Sequence, residues 1–196
     1  MNTLKAEKRS MDVKAKRLRR EGFVTGNLFG KKIDGSVPVK MTRKDVDRLL
    51  KTENKGSQIM LDVEGTRYDV LIKEIDYNAL AGRVDEIDFQ ALVSNEKVHS
   101  VAEIILVNHE KVSTGVLQEM LGEISYRALP ADLIDKVKVD VGGMHLGDTI
   151  RVRDLEIAGD SKIELLTDPD AVVATVTAVH NEVPDEETDA KDAETK

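Results

Sequence analysis

Arg9, Lys14, Lys16, Arg17, Arg19 and Arg20 place six cations within twelve residues. Cations at that density repel one another unless an anion neutralises them. The arginine fork matches phosphate oxygens, and each phosphate neutralised releases condensed counterions. The chemistry that suits this run is therefore capture of a polyanion, with an affinity that falls steeply as salt rises. Lys31, Lys32, Lys40, Arg43 and Lys44 extend the basic stretch, and Leu18 inside it reads as an anchor to a core. The bland alternative is a solvated basic face. The charge layout argues against it: residues 1–60 carry 16 Lys+Arg against 7 Asp+Glu, whereas the whole 196-residue chain has a net charge of −8. An acidic chain with a basic front end separates a polyanion-binding part from the rest.

Other reactive residue types form no constellation. His99, His109, His145 and His180 stand too far apart for metal-ligand spacing, and there is no His-Glu-x-x-His pattern. The glycine-rich stretch from Gly142 to Asp148 has neither a following Lys-Ser/Thr nor a GxGxxG spacing, so it reads as a turn. Ser113 and Ser125 lack a nucleophile elbow. Asp132, Asp135 and Asp140 have no apolar setting that would tune an acid–base pair. Cysteine is absent, which excludes disulfides and thiolate chemistry. The reading is that there is no catalytic residue, no metal and no cofactor, and that an enzyme is disfavoured. Six aromatic side chains (Phe23, Phe29, Tyr68, Tyr77, Phe89 and Tyr126) and no Trp make a poor stacking platform for single strands. A helical target, read by backbone and shape, fits better.

The elements that must position the cations follow from pattern. Residues 3–9 form a first strand, and Gly22 stops the basic segment 10–22. Gly26-Asn27 speaks against a regular strand through residues 24–29, and Gly30 to Gly35 is a turn. Val37-Pro38-Val39 is a short strand that Pro38 assigns to an edge. Thr42 caps a helix over residues 43–51, with Asp45 in its first turn and Val46, Leu49 and Leu50 on one face. Ile59, Leu61 and Val63, a Glu64-Gly65 turn, then Tyr68, Val70 and Ile72 make a hairpin, and a further strand covers 84–93. Beyond residue 93, short strands are expected at 98–107, 123–128, 136–141, 149–155, 162–166 and 172–179. Residues 116–121 fit a helical turn or a strand equally well. Residues 182–196 carry 7 acidic and 2 basic side chains and read as a disordered acidic tail. The fold class expected is mainly β with a few short helices. Its divisions are 1–93, a β-barrel-like domain, then 94–181, a mostly β domain, then the tail. No secretory leader or membrane span is visible, so the expected location is cytoplasmic.

These features together resemble a known family. Lys16-Arg17-Leu18-Arg19-Arg20-Glu21-Gly22, Leu28-Phe29-Gly30, Val37-Pro38-Val39 and Glu86-Ile87-Asp88-Phe89 carry the likeness in the first half. Gly115-Val116-Leu117-Gln118-Glu119, Leu129-Pro130-Ala131, and Val139-Asp140-Val141 through Leu146-Gly147-Asp148-Thr149-Ile150 carry it in the second. The chain resembles the bacterial large-subunit ribosomal proteins that bind 5S rRNA, in the long two-domain form also called general stress protein CTC. The resemblance implies a β-barrel-like domain gripping the wide, shallow minor groove of helical 5S rRNA, and a second β domain facing other ribosomal components. It implies RNA contacts by Arg9, Lys14, Lys16, Arg17, Arg19, Lys73 and Asp88, to which the basic cluster adds Arg20 and the Leu-Phe-Gly motif adds Phe29. The implied partners are 5S rRNA together with the proteins and rRNA of the large subunit, without membrane or DNA, and the protein off the ribosome is expected to be a monomer.

Departures from the family pattern weigh on that expectation. Phe29 stands where a tyrosine is usual, Thr25 where a proline is usual, and Glu86 where a histidine is frequent; Asn27 is also unusual. A lost hydroxyl and a carboxylate facing phosphates imply weaker 5S rRNA binding. They leave a second reading open, a divergent stress-related paralogue that works through protein–protein contacts.

Overall fold

Alternating apolar residues at Leu4 and Ala6, at Ile59, Leu61 and Val63, and at Ile87, Phe89 and Ala91 give strands with one face to bury. In the computed structural model, which describes residues 2–31, 33–112 and 115–178, those faces close around one core. The first elements are β1 (Thr3–Lys8), α1 (Ala15–Arg20), β2 (Phe23–Phe29), β3 (Ser36–Thr42), α2 (Arg43–Leu49), β4 (Gln58–Val63), β5 (Thr66–Asn78) and β6 (Arg83–Ala91). The six strands form a closed barrel in the order β1-β3-β2-β6-β5-β4. Closure removes free edges. The contacts β1–β4 and β2–β6 are parallel and the others antiparallel. The β4–β5 hairpin turns on Glu64 and Gly65, both at positive φ (51° and 90°), as a two-residue primed turn requires. The Thr42 hydroxyl accepts the Asp45 N–H at 3.3 Å and caps α2, whose Val46 and Leu49 enter the barrel core.

Two expectations are corrected here. Gly26-Asn27 does not interrupt the strand: β2 runs unbroken from Phe23 to Phe29. The glycine is there because a Cβ would lie 1.9 Å from the Ile87 carbonyl oxygen on β6. Nor does Pro38 mark an edge, because β3 is flanked by β1 and β2. Pro38 sits where the β1 ladder runs out: β1 pairs as far as Lys8 with Val39, and the Arg9 N–H then donates to the Pro38 carbonyl at 2.9 Å. The return bond that a Pro38 N–H would make to Arg9 is absent, and the β1–β3 ladder ends there.

The second half contains β7 (Val98–Val107), β8 (Val116–Glu119), β9 (Glu123–Ala128), β10 (Lys136–Asp140), β11 (Thr149–Arg151), β12 (Glu164–Leu165) and β13 (Val172–Thr177). They form a four-stranded sheet, β10-β7-β9-β12, and a three-stranded sheet, β11-β13-β8, over a shared apolar core. The segment that fitted helix or strand is β8, paired with β13. The strand expected over 149–155 ends at Arg151. The Asp154 carboxylate accepts the Arg151 N–H at 2.9 Å and draws the chain into 3-10 turns. Tyr126 organises this core. Its hydroxyl donates to the Ile134 carbonyl at 2.6 Å and accepts the Ile134 N–H at 2.7 Å, and burial raises its pKa. The acidic segment 182–196, with His180, Ser113 and Lys32, lies outside the described residues.

The two halves touch. Leu71, Leu92 and Val98 form a small buried cluster with Leu133 against it. Gly56, at φ +89°, lies so close to Val101 that a Cβ would meet its carbonyl oxygen at 1.9 Å.

Candidate nucleic-acid interface

The basic run folds into α1 because Leu18 can reach the barrel and Gly22 can stop the helix. Leu18 is 6 % exposed, and Gly22 takes φ +91° just past the last turn. Arg17, Arg19 and Arg20 crowd the last turn, where their charges suit the helix dipole. The helix rests beside β2, next to the outer faces of β2 and β6.

The six cations divide by what they touch. Lys14, Lys16 and Arg20 are exposed, and among the described residues none has a carboxylate within ion-pair distance. Arg17 pairs with Glu21 at 2.9 Å one turn on, but its side chain is 76 % exposed. An exposed pair of this kind contributes little and yields readily to a phosphate. Arg19 is committed inward, with its side chain only 22 % exposed. It donates to the Asp85 carbonyl at 3.1 Å, the Thr25 hydroxyl at 3.4 Å and the Glu86 carboxylate at 3.3 Å. Arg9 donates to the Val13 carbonyl at 3.2 Å, just before the helix.

Asp88 and Phe29 lie on the adjoining face. β2 and β6 pair at Thr25 with Glu86 and again at Leu28 with Phe89, and the ladder skips the residues between. Asp88 fills the gap: its Oδ1 accepts the Asn27 backbone N–H at 2.9 Å and the Asn27 side-chain amide at 3.1 Å. The same amide reaches Glu86 at 3.3 Å. Thr25, Asn27 and Glu86, the unusual residues of the sequence, thus belong to one hydrogen-bonded strip that ends on Arg19. Phe29 is half-buried on the outer face of β2, opposite Ser36 of β3 and Gln90 of β6. Beyond β6 the face turns acidic, with Glu74 and Asp76 of β5 opposite Asp88 and Glu86. A polyanion is therefore drawn to the α1 side and repelled from the β5 side. Asp85, beneath Arg19, is held below the ordinary aspartate pKa chiefly by the Asn78 amide, with Arg83 and Arg19 adding to it.

Lys73 does not join this group. It stands at the irregularity of β5 between Ile72 and Glu74, and its ammonium donates to the His99 carbonyl in the second half at 3.0 Å. Burial, then the neighbouring Lys55, hold it below the ordinary lysine pKa. Among the described residues no His, Asp and Glu cluster suits a metal ion, and no helix is long and apolar enough to cross a membrane. Sequence reasoning counted Arg43 only as one more cation of the basic stretch and passed over Asp85. Arg43 bonds the Arg19 carbonyl and Asp85 lies under the Arg19 side chain, contacts formed between residues 24 and 66 positions apart.

Comparison with known proteins bears on what this face is for. Residues 4–89 match the Ribosomal L25p family, and residues 97–180 match the C-terminal domain of ribosomal protein TL5. A large ribosomal subunit protein bL25 of Geobacillus thermodenitrificans is 32 % identical over 82 % of this chain and 76 % of its own length. Proteins of the same description from Moorella thermoacetica and Bacillus velezensis are 31 % and 30 % identical, over 89 % and 90 % of this chain and 86 % and 88 % of their own. The chain belongs to the ribosomal L25p family. Within that family it has the long form, because the match continues past the closed barrel through the second, TL5-like part. L25p members are ribosomal proteins, a structural and non-enzymatic family.

Proposed function

We propose that this L25p protein is a structural component of the bacterial large ribosomal subunit, and that its barrel binds 5S rRNA. The observation that carries this reading is the exposed trio Lys14, Lys16 and Arg20, free of carboxylate partners among the described residues and set on a short helix beside β2. Phosphates meet the trio, and Arg17 joins by exchanging Glu21 for phosphate. Asp88 keeps one oxygen free of Asn27 to accept from a ribose hydroxyl or a base amino group, and Phe29 offers an apolar edge to the sugar. Arg9 and Arg19 support the helix from below. This inventory suits helical RNA, which is recognised through shape, 2′-hydroxyls and phosphates. Residues 1–93 act as the RNA module, and residues 94–181 face other ribosomal components in the cytoplasm. Footprinting of 5S rRNA at physiological salt tests the reading: a protected helical segment, lost in the Lys14→Ala/Lys16→Ala/Arg20→Ala variant, is expected, and unchanged reactivity along the RNA refutes it.

One observation favours the second reading, a stress-related paralogue with weakened RNA binding. Glu86 already occupies Arg19, and Asn27 already occupies one oxygen of Asp88. Sedimentation of ribosomes through a high-salt cushion separates the two, since the first reading places the protein in the pellet and the second leaves it in the supernatant.

A further inference from the structure

Arg43, the first residue of α2, belongs to no phosphate-facing set, yet it grips both α1 and the link that follows it. Its backbone N–H donates to the Gly22 carbonyl at 2.9 Å, and its guanidinium donates to the Arg19 carbonyl at 2.8 Å. The Arg19 carbonyl lies in the last turn of α1, where the only other donor to it is the Gly22 N–H at 3.4 Å among the described residues, and the Gly22 carbonyl lies in the link from α1 to β2. The Arg43 Nε is enclosed without a hydrogen-bond partner among the described residues, so the side chain is committed to this place and is not a mobile surface cation. α2 is itself fixed, because Val46 and Leu49 are buried in the barrel core. A six-residue helix is too short to be stable alone. Its orientation must come from what grips it: Leu18 from below, Arg9 before its first turn, and Arg43 at its end.

We infer that Arg43 is a positioning residue for RNA binding, a latch that sets the angle at which α1 presents Lys14, Lys16 and Arg20 to the phosphates. The inference rests on the 5S rRNA reading above. It differs from a phosphate contact in a measurable way. Removing a cation that neutralises a phosphate lowers the slope of log K against log salt by about 0.7–0.9. Removing a latch lowers affinity and leaves the slope as it was, because the same phosphates are met by a less ordered helix.

The test uses the full chain with Arg43→Ala, Arg43→Lys and Lys14→Ala, 5S rRNA titrations between roughly 0.05 and 0.2 M salt, and amide exchange of the free proteins. The expected result for Arg43→Ala is about tenfold weaker binding, a wild-type salt slope, and faster exchange at Leu18, Glu21 and Gly22 with the barrel amides of Leu28 and Val39 unchanged. Arg43→Lys, which keeps a charged donor, recovers most of the affinity; if Arg43→Ala does not fold, Arg43→Met, which keeps the length without a donor, replaces it under the same expectations. Lys14→Ala lowers the slope without changing exchange in α1. Affinity of Arg43→Ala within about twofold of wild type overturns the inference, as does a slope reduced like that of Lys14→Ala, or unchanged exchange in α1. Absence of 5S rRNA binding by the wild-type protein overturns the functional reading instead, and the exchange data then decide by themselves whether the latch exists.

Discussion

Asp88 closes the seam between β2 and β6, so its removal should weaken the barrel before any RNA is present. Between the rungs Thr25–Glu86 and Leu28–Phe89 the Asn27 N–H has no backbone acceptor on β6, and the Asp88 carboxylate takes that place at 2.9 Å. Asp88→Ala leaves a part-buried N–H unpaired and strips a second bond from the Asn27 amide. A hydrogen bond to a charged acceptor contributes about 1.5–3 kcal/mol. Against this stands relief of repulsion, because Glu74 lies directly opposite Asp88 and Glu86 is near. The net expectation is a loss of about 1.5–2 kcal/mol, or roughly 3–8 °C in Tm for a chain of this size. Asp88→Asn keeps an oxygen at the same position and also relieves the repulsion, so it should melt within about 2 °C of wild type. Thermal and urea melts of the free proteins, with amide exchange at Asn27, supply the readout. Equal losses in the two variants, or Asp88→Ala melting like wild type, would refute the seam argument.

Gly26→Ala would drive a Cβ to 1.9 Å from the Ile87 carbonyl and force β2 away from β6. A loss of about 3 kcal/mol or more in urea unfolding is expected, whereas alanine at Gly143, where no atom lies within 4 Å, should cost much less. Tyr126→Phe removes both bonds to Ile134 and should cost about 1–3 kcal/mol. The pH dependence has a defined sign. Burial raises the Tyr126 pKa above the ordinary tyrosine value of 10.0, so the unfolded chain ionises first and the stability from the neutral phenol is lost as pH climbs through the folded value. Melts above about pH 10 should therefore fall less steeply for Tyr126→Phe than for wild type.

Much of the fold was legible because it follows from local pattern. The Thr42 cap, the Glu64-Gly65 hairpin and the strands at 98–107 and 123–128 all declare themselves within ten residues of sequence. The misreadings arose where a distant partner decides. Gly26 reads as a break until the Ile87 carbonyl appears against it, and Pro38 reads as an edge until β1 is seen to end beside it. The basic run stands out in the sequence as a candidate polyanion site through its density and the charge layout of the chain. Its division into exposed cations and inward-held ones was not legible, because Arg19 is claimed by Asp85 and Glu86 more than sixty residues away. Lys73, an RNA contact by resemblance, bonds the His99 carbonyl of the second half, a pairing across 26 positions that no local pattern announces.

The central claim is that an exposed trio of cations on α1 holds helical RNA by its phosphates. The salt dependence of 5S rRNA affinity tests it most directly. With Lys14, Lys16 and Arg20 each meeting a phosphate and Arg17 joining them, log K should fall against log salt with a slope of about −3. The Lys14→Ala/Lys16→Ala/Arg20→Ala protein should retain less than half of that slope. An affinity indifferent to salt, or a triple variant that binds with the wild-type slope, would contradict the account.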